Sequence, residues 1–169
     1  MKGGDRMKSL TLNKKGFTLI ELLVVLLIIG LLATISVVAL GTARAKGRDT
    51  RRLTDVKGIQ NALELMFVDI NGYPEVASAT TLGTGNAARL DSTGWAALTG
   101  TSTPVYMVKV PTNPTPNGDD YVYTSTAADN VTACTSGPCA SYTLTFTLES
   151  GAGGFTTGAH TATPPDVVE

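Results

Sequence analysis

The sequence has little charge and almost no cysteine or histidine. Of its 169 residues, 16% are Asp, Glu, Lys or Arg, two are cysteine and one is histidine. These cysteines and this histidine are too few for a zinc site built from those residue types. By contrast, 43% of the residues are hydrophobic, a share that excludes an intrinsically disordered chain. The composition therefore indicates a folded protein without a zinc site of this kind.

The small net charge of −1 conceals two oppositely charged parts. Residues 1–60 carry eleven basic and four acidic groups, whereas residues 61–169 carry two basic and ten acidic groups. The acidic part would repel nucleic-acid phosphates, so direct binding of nucleic acid is not expected.

Charged residues and proline are both absent from residues 22–43. A helix of this length rises about 33 Å, which matches the hydrocarbon core of a bilayer. A secretory signal peptide has a shorter apolar core, and here Arg44, Lys46 and Arg48 follow the run. The segment is therefore predicted to be a retained membrane helix. Basic groups flank it on both sides and leave its orientation open.

The residues before this run form a specific motif. A basic pair is followed by Gly16, Phe17, a short apolar stretch with a threonine, and Glu21. Residues 14–21 resemble the processing site of type IV prepilins and type II secretion pseudopilins. The resemblance implies that a prepilin peptidase on the cytoplasmic side cuts after Gly16 and then N-methylates Phe17. Residues 1–16 would accordingly be a leader peptide that the mature chain lacks.

Glu21 lies at the head of the apolar run, where an unpaired carboxylate costs about 3 kcal/mol in lipid. One interpretation leaves it at the level of the lipid headgroups, facing water. In the other, which the resemblance favours, Glu21 of one subunit neutralises the Phe17 amine of a neighbour within a bundle of helices. The resemblance also implies a single-pass protein of the cytoplasmic membrane, with its N-terminus inside and its head outside.

The helix is predicted to continue beyond the membrane segment, because no proline occurs between Phe17 and Tyr73. Apolar residues recur three and four positions apart, as is typical of an amphipathic helix. They are Leu53, Val56, Ile59 or Gln60, Leu63, Met66, Phe67 and Ile70. The polar residues of the opposite face are Arg51, Arg52, Asp55, Lys57 and Asp69. Residues 71–74 contain Asn, Gly and Pro, which form a stop signal, so one helix is expected from about Phe17 to Ile70.

Three segments after the helix show the alternation or β-branching that is typical of strands. They are residues 105–110, 121–124 and 142–148. An α+β, pilin-like fold is predicted, in which one long N-terminal helix packs on a small antiparallel sheet. The expected parts are a leader at 1–16, a membrane or fibre-core helix at 17–43, its amphipathic continuation at 44–73, an α+β head at 74–150 and a flexible tail at 151–169.

Cys134 and Cys139 enclose four residues, Thr-Ser-Gly-Pro. In an exported head the expected outcome is a disulfide that closes the loop between two strands. The alternative is a pair of free thiols in a surface loop. A redox-active pair is disfavoured, because the spacing is not Cys-x-x-Cys and no basic group lies nearby in the sequence.

The sequence shows no constellation of catalytic or metal-binding residues, so an enzyme, a metal site and a cofactor are not expected. His160 stands alone in a tail rich in glycine and threonine. Residues 109–111, Lys-Val-Pro, with Asn113 and Pro114 shortly after them, loosely resemble G-type major pseudopilins, which bind calcium in a C-terminal loop. Only Asp166 and Glu169 are acidic after Glu149, so that loop cannot be mapped onto this chain. A solvated turn at residues 117–120 is preferred to a calcium site.

The leading hypothesis is a structural subunit of a type IV pilus-like filament. The resemblance implies that processed subunits wait in the cytoplasmic membrane. An assembly platform protein then helps to extract them into a helical polymer of identical and related subunits, in the periplasm or outside the cell. An alternative that uses the same residues is the G-type major pseudopilin of a type II secretion system. A remote alternative is a bitopic membrane enzyme, for which residues 75–169 offer no catalytic cluster.

Overall fold

The computed structural model describes residues 16–164 and 167–168. Almost all of the predicted leader, residues 1–15, lies outside the described residues, as do Asp166 and Glu169. The chain divides into two units, one that ends at Leu40 and one that begins at Gly41. We call the second unit the head.

One helix, α1, extends over Leu19–Ile70, which confirms the long helix predicted from the periodicity and the absence of proline. It ends where Asn71 adopts a left-handed backbone conformation with a φ of 54°. The Asn71 N–H donates to the Phe67 carbonyl at 2.8 Å. Asparagine tolerates this conformation better than most residues do. The helix therefore ends at the stop signal that was predicted at residues 71–74.

The head contains two antiparallel sheets. The strands are β1 Thr80–Thr81, β2 Arg89–Asp91, β3 Gly94–Ala96, β4 Val105–Met107, β5 Val122–Thr126, β6 Ser141–Leu148, β7 Gly158–Ala162 and β8 Val167–Val168. The larger sheet has the order β1-β5-β6-β7-β8 and the smaller one the order β3-β2-β4. The α+β, pilin-like architecture is thereby confirmed, with two sheets where one was expected.

The core of the head combines the apolar stripe of α1 with alternate residues of β6. The buried α1 members are Val56, Ile59, Leu63 and Met66, and the buried β6 members are Tyr142, Leu144, Phe146 and Leu148. All of them belong to one cluster of buried side chains. Burial of each aliphatic member stabilises the fold by roughly 1.5–3 kcal/mol. The side chains that recur every three to four residues in α1 and every two residues in β6 therefore pack in the same core.

Part of the expected flexible tail forms a strand instead. Gly158–Ala162 is β7, which pairs with β6 so that His160 lies opposite Phe146. The His160 ring contacts the rings of Phe146 and Phe155, with centroid distances of 5.7 and 5.4 Å. The residues of β7 are small or polar and show no apolar alternation. The strand therefore depends on pairing with its neighbour, which local sequence does not reveal.

Residues 75–103, where no strand was predicted, also contain regular structure. A 3-10 helix at Gly85–Ala87 is followed by a hairpin of β2 and β3, in which Leu90 lies opposite Trp95. Each of these strands has three residues. That length is too short for alternation to stand out in the sequence.

Candidate processing and assembly site

Gly16 and Phe17, the predicted cleavage site, lie in non-helical chain directly before α1. Phe17 is 78% exposed, and a Cβ placed on Gly16 would meet no atom within 4 Å. The peptide bond between them is therefore accessible in the described part of the chain, as a bond cut by a peptidase must be. Cleavage itself stays a prediction.

Glu21 makes hydrogen bonds within its own chain at the start of α1. The N–H and the hydroxyl of Thr18 both donate to Glu21 Oε2, at 3.2 and 3.0 Å, and the Glu21 N–H donates to the Thr18 hydroxyl oxygen at 3.3 Å. This reciprocal pattern is a capping box, which satisfies N–H groups that lack a partner in the first turn of a helix. The Thr-x-x-Glu spacing of residues 18–21 is the sequence pattern of a capping box. The prediction of a role for Glu21 in assembly did not take this pattern into account.

The N-terminal part of α1 presents an uncovered apolar surface. Every side chain from Phe17 to Leu40 is exposed. In the part of the chain that the structure describes, α1 is the one helix long and apolar enough to cross a bilayer. Because water is a poor solvent for so large an apolar surface, lipid or the apolar helices of other chains must cover it.

A group of buried and half-buried charged side chains lies in the head. We call Arg48, Asp49, Arg52 and Glu149 the Arg52 cluster. The fully buried Arg52 guanidinium forms ion pairs with Asp49 at 2.7 Å and with Glu149 at 2.6 Å. Asp49 accepts hydrogen bonds from the N–H groups of Glu149 and Ser150, at 2.9 and 2.7 Å. The cluster therefore ties α1 to the residues directly after β6.

Arg52 also holds the segment that precedes β5. Its guanidinium donates to the Asn113 side-chain oxygen at 2.6 Å, to the Pro114 carbonyl at 2.9 Å and to the Asn117 carbonyl. An arginine offers five N–H donors in one plane, so a single buried side chain can bind several acceptors. The turn at residues 117–120, expected to be solvated, is exposed at its surface but anchored to α1 through Arg52.

The prediction that Arg52 and Asp55 lie on a solvent-facing side of the helix was wrong. Arg52 is fully buried, and Asp55 accepts a hydrogen bond from the Tyr121 hydroxyl at 3.1 Å. The spacing contained the necessary signal, because Asp49 and Arg52 continue the buried stripe of Val56 in steps of three and four residues. Charged residues are normally exposed, so Asp49 and Arg52 were not recognised as part of the buried stripe.

The Arg52 cluster makes the stability of the head depend on pH. Hydrogen bonds from Arg48, which contributes most, and from Asn117 and Arg52 together lower the pKa of the Glu149 carboxyl from its usual 4.5 to about 2. A carboxyl whose pKa is lower in the folded state contributes its full stabilisation only above its unfolded pKa. This contribution is therefore present above about pH 4.5 and is lost as the pH falls towards 2.

Replacing Glu149 by glutamine should flatten this pH dependence. The wild-type melting temperature is expected to fall between about pH 5 and pH 2, and that of Glu149→Gln to fall less steeply, because the titrating group is gone. Circular dichroism of the full chain in detergent measures both profiles. Asp120→Asn removes an exposed carboxylate and should keep the wild-type slope. Parallel profiles for wild type and Glu149→Gln would contradict the assignment.

Cys134 and Cys139 are joined by a disulfide, which confirms the predicted pairing. The bond lies in the connection between β5 and β6, as expected. Cys139 also exchanges two backbone hydrogen bonds with Tyr73, at 2.9 and 3.0 Å. The disulfide loop is therefore attached to the chain that leaves α1, a neighbour that the sequence did not indicate.

Two exposed carboxylates of the head, those of Asp119 and Asp129, accept hydrogen bonds from nearby groups. Asp119 accepts a hydrogen bond from the Thr147 hydroxyl at 2.8 Å, and Asp129 accepts from the N–H groups of Val131 and Thr132 at 3.0 and 2.8 Å. Within residues 16–164 and 167–168, no three His, Cys, Asp or Glu side chains are grouped so that they could hold a metal ion. The hydrogen bonds of Asp119 and Asp129 therefore stabilise local structure.

The sequence around this site matches a known class of proteins. The family model for the prokaryotic N-terminal methylation motif matches residues 11–37. This match supports the type IV prepilin and pseudopilin family, which residues 14–21 predicted. Within that class, the chain is similar to the type II secretion system core protein G of Aeromonas hydrophila and of Escherichia coli (strain K12). The same protein of Vibrio cholerae is a third relative.

Each of these three relatives is 36% identical to the chain over 62 residues. The similarity covers 37% of this chain, and the chain spans about two-fifths of the length of the curated relatives it matches. No solved structure matches the chain significantly. The relatives therefore bear on part of the chain only.

Proposed function

We propose that the chain is a structural, pilin-like subunit of a filament that assembles from the cytoplasmic membrane. The observation that carries the proposal is the order of parts along the chain. The methylation motif leads into an apolar helix whose side chains are all exposed as far as Leu40, and a head with its own core follows. Lipid covers the apolar helix before assembly, and the helices of other subunits cover it in the filament.

This proposal assigns a role to each part of the chain. Residues 17–43 form the membrane and fibre-core helix, residues 44–73 continue it amphipathically, and residues 74–150 contribute most of the head. Neither an enzymatic activity nor a cofactor is required for such a role. A bitopic membrane enzyme remains the remote alternative.

Processing prepares the N-terminus for assembly. A prepilin peptidase hydrolyses the peptide bond after Gly16 and then methylates the new amine of Phe17, which keeps its positive charge. Before assembly Thr18 is the hydrogen-bond partner of Glu21. In the filament, where apolar helices exclude water, the Glu21 carboxylate neutralises the Phe17 amine of a neighbouring subunit.

The proposed orientation places the N-terminus in the cytoplasm and the head outside. The disulfide between Cys134 and Cys139 supports an oxidising compartment for the head. The partners in this proposal are the peptidase, an assembly platform protein and other pilin-like subunits. The filament then lies in the periplasm or outside the cell.

The similarity to type II secretion system core protein G favours a second candidate, the pseudopilus of a secretion system. The methylation motif is common to both kinds of filament and does not distinguish a pilus from a pseudopilus. Deletion of the gene distinguishes them. Loss of surface fibres with normal secretion supports a pilus, whereas secreted enzymes retained in the periplasm support a pseudopilus.

The mature protein should begin at N-methylated Phe17. Loss of residues 1–16 removes five basic groups and one acidic group, so the net charge should change from −1 to −5. Mass spectrometry of membrane-extracted protein measures both the intact mass and the N-terminal peptide. A strain without prepilin peptidase should retain the leader. An intact Met1 end in the wild-type strain, or a cut near Ala43, would overturn the proposed function.

A further inference from the structure

We propose that a groove at the end of α1 receives a basic side chain from α1 of a second copy of this chain. The groove has a volume of about 400 Å³, and its walls include Met66, Ile70, Tyr73, Pro74, Glu75 and Pro138. We call it the α1-end groove. The inference rests on the proposed function, because it describes how two subunits of the filament meet.

The lining of the α1-end groove suits a long cationic side chain. Its apolar members offer contact to the aliphatic stem of a lysine or arginine, and the exposed carboxylate of Glu75 offers a partner for the charged end. Among the residues that the structure describes, none forms an ion pair with Glu75.

The cations that could enter the groove lie on one segment. Arg44, Lys46, Arg51 and Lys57 are all exposed on α1, and we call residues 44–57 the basic α1 segment. After residue 60 the described chain has two basic residues. Arg89 is paired with Asp91 at 3.4 Å, which leaves Lys109 as the exposed one. Charge complementarity therefore favours the basic α1 segment as the occupant.

The basic α1 segment of the same chain cannot supply the occupant. Lys57, the last cation of the segment, precedes Met66 by nine residues on one helix, or about 13 Å along its axis. That distance exceeds the reach of a lysine side chain. Two complementary surfaces at different places on one subunit produce a head-to-tail contact, which builds an open filament when its rotation does not close into a ring. The charges along the head are thus compatible with a polymer.

Charge reversal at Glu75 tests the inference. In a strain whose only copy is Glu75→Lys, filament subunits recovered by shearing should fall at least about tenfold relative to wild type, as quantitative immunoblotting measures. Asp120→Lys makes the same change of charge at another exposed acid and should stay within about twofold. Glu75→Gln, which adds no repulsion, should show an intermediate loss. Thermal unfolding and leader removal should match wild type in all three variants.

Rescue identifies the occupant. Glu75→Lys is combined in turn with Arg44→Glu, Lys46→Glu, Arg51→Glu and Lys57→Glu, and at least one pair should restore most of the lost filament. Equal losses for Glu75→Lys and Asp120→Lys would overturn the inference, as would wild-type amounts for Glu75→Lys. A loss that no pair restores would assign the groove to another protein and also overturn it. If the wild-type strain itself forms neither fibres nor a functional secretion pseudopilus, the proposed function fails with it.

Discussion

A strain whose only copy carries Glu21→Gln is expected to insert and process the protein normally but to form no filaments. The amide keeps the shape of the side chain and loses its charge, so each incoming subunit would bury a Phe17 amine without a partner. An uncompensated charge of this kind costs about 3–5 kcal/mol, enough to stop polymerisation. Immunoblotting of sheared fibres and of membranes should show processed monomer accumulating in the membrane.

The capping box between Thr18 and Glu21 supplies the controls for this experiment. Glutamine can replace glutamate in a capping box, so Glu21→Gln preserves the cap and tests the charge alone. Thr18→Ala removes the cap, at a cost of about 1 kcal/mol, but keeps the charge, and should still assemble. If Glu21→Gln assembles like wild type and Thr18→Ala does not, Glu21 starts the helix and does not neutralise an amine.

The parts of this molecule that the sequence predicted are those whose signals are local. The processing motif occupies residues 14–21, and the course of α1 follows from spacing within one element. The Arg52 cluster was not predicted, because its partners are distant in the sequence. The hydrogen bond from Arg52 to Asn113 spans 61 residues, and the one from Arg48 to Glu149 spans 101. The charge of a residue does not reveal that distant partners will bury it.

The groove at the end of α1 shows the same limit. Its walls come from α1, from the chain directly after it, from the turn at residues 92–93 and from the disulfide loop at residues 137–138. The composition indicated that the C-terminal part of the chain is acidic, but it did not indicate that Glu75 lines the α1-end groove. Contacts across the head decide that placement.

Replacing Arg52 by methionine should destabilise the head by about 3–5 kcal/mol, the usual cost of removing one partner from a buried ion pair. Asp49 and Glu149 would lose a shared cation, and the carbonyls of Pro114 and Asn117 would lose a donor. For a chain of this size, the melting temperature should fall by about 10 °C or more. Thermal unfolding of the full chain in detergent, followed by circular dichroism, measures the change.

The neighbouring residue provides a matched control. Arg51 is on the same helix, its side chain is 67% exposed, and its ion pair with Asp55 is long at 3.8 Å. Ion pairs with an exposed partner at this distance contribute about 0–1 kcal/mol, so Arg51→Met should change the melting temperature by about 4 °C or less. Similar losses for the two variants would show that burial of Arg52 does not set its contribution.

The separation between the members of the Arg52 cluster also affects when the head can fold. Asp49 and Arg52 are synthesised about one hundred residues before Glu149 and Ser150, the groups that bind Asp49 from across the head. Until those residues are synthesised, the charged side chains of α1 remain hydrated and its apolar stripe cannot pack against β6. Contacts so distant in sequence form late, and unfinished chains are exposed to proteases in the meantime. A product truncated before Ser150 should therefore be degraded, so that only chains extending past this point deliver a finished head for polymerisation.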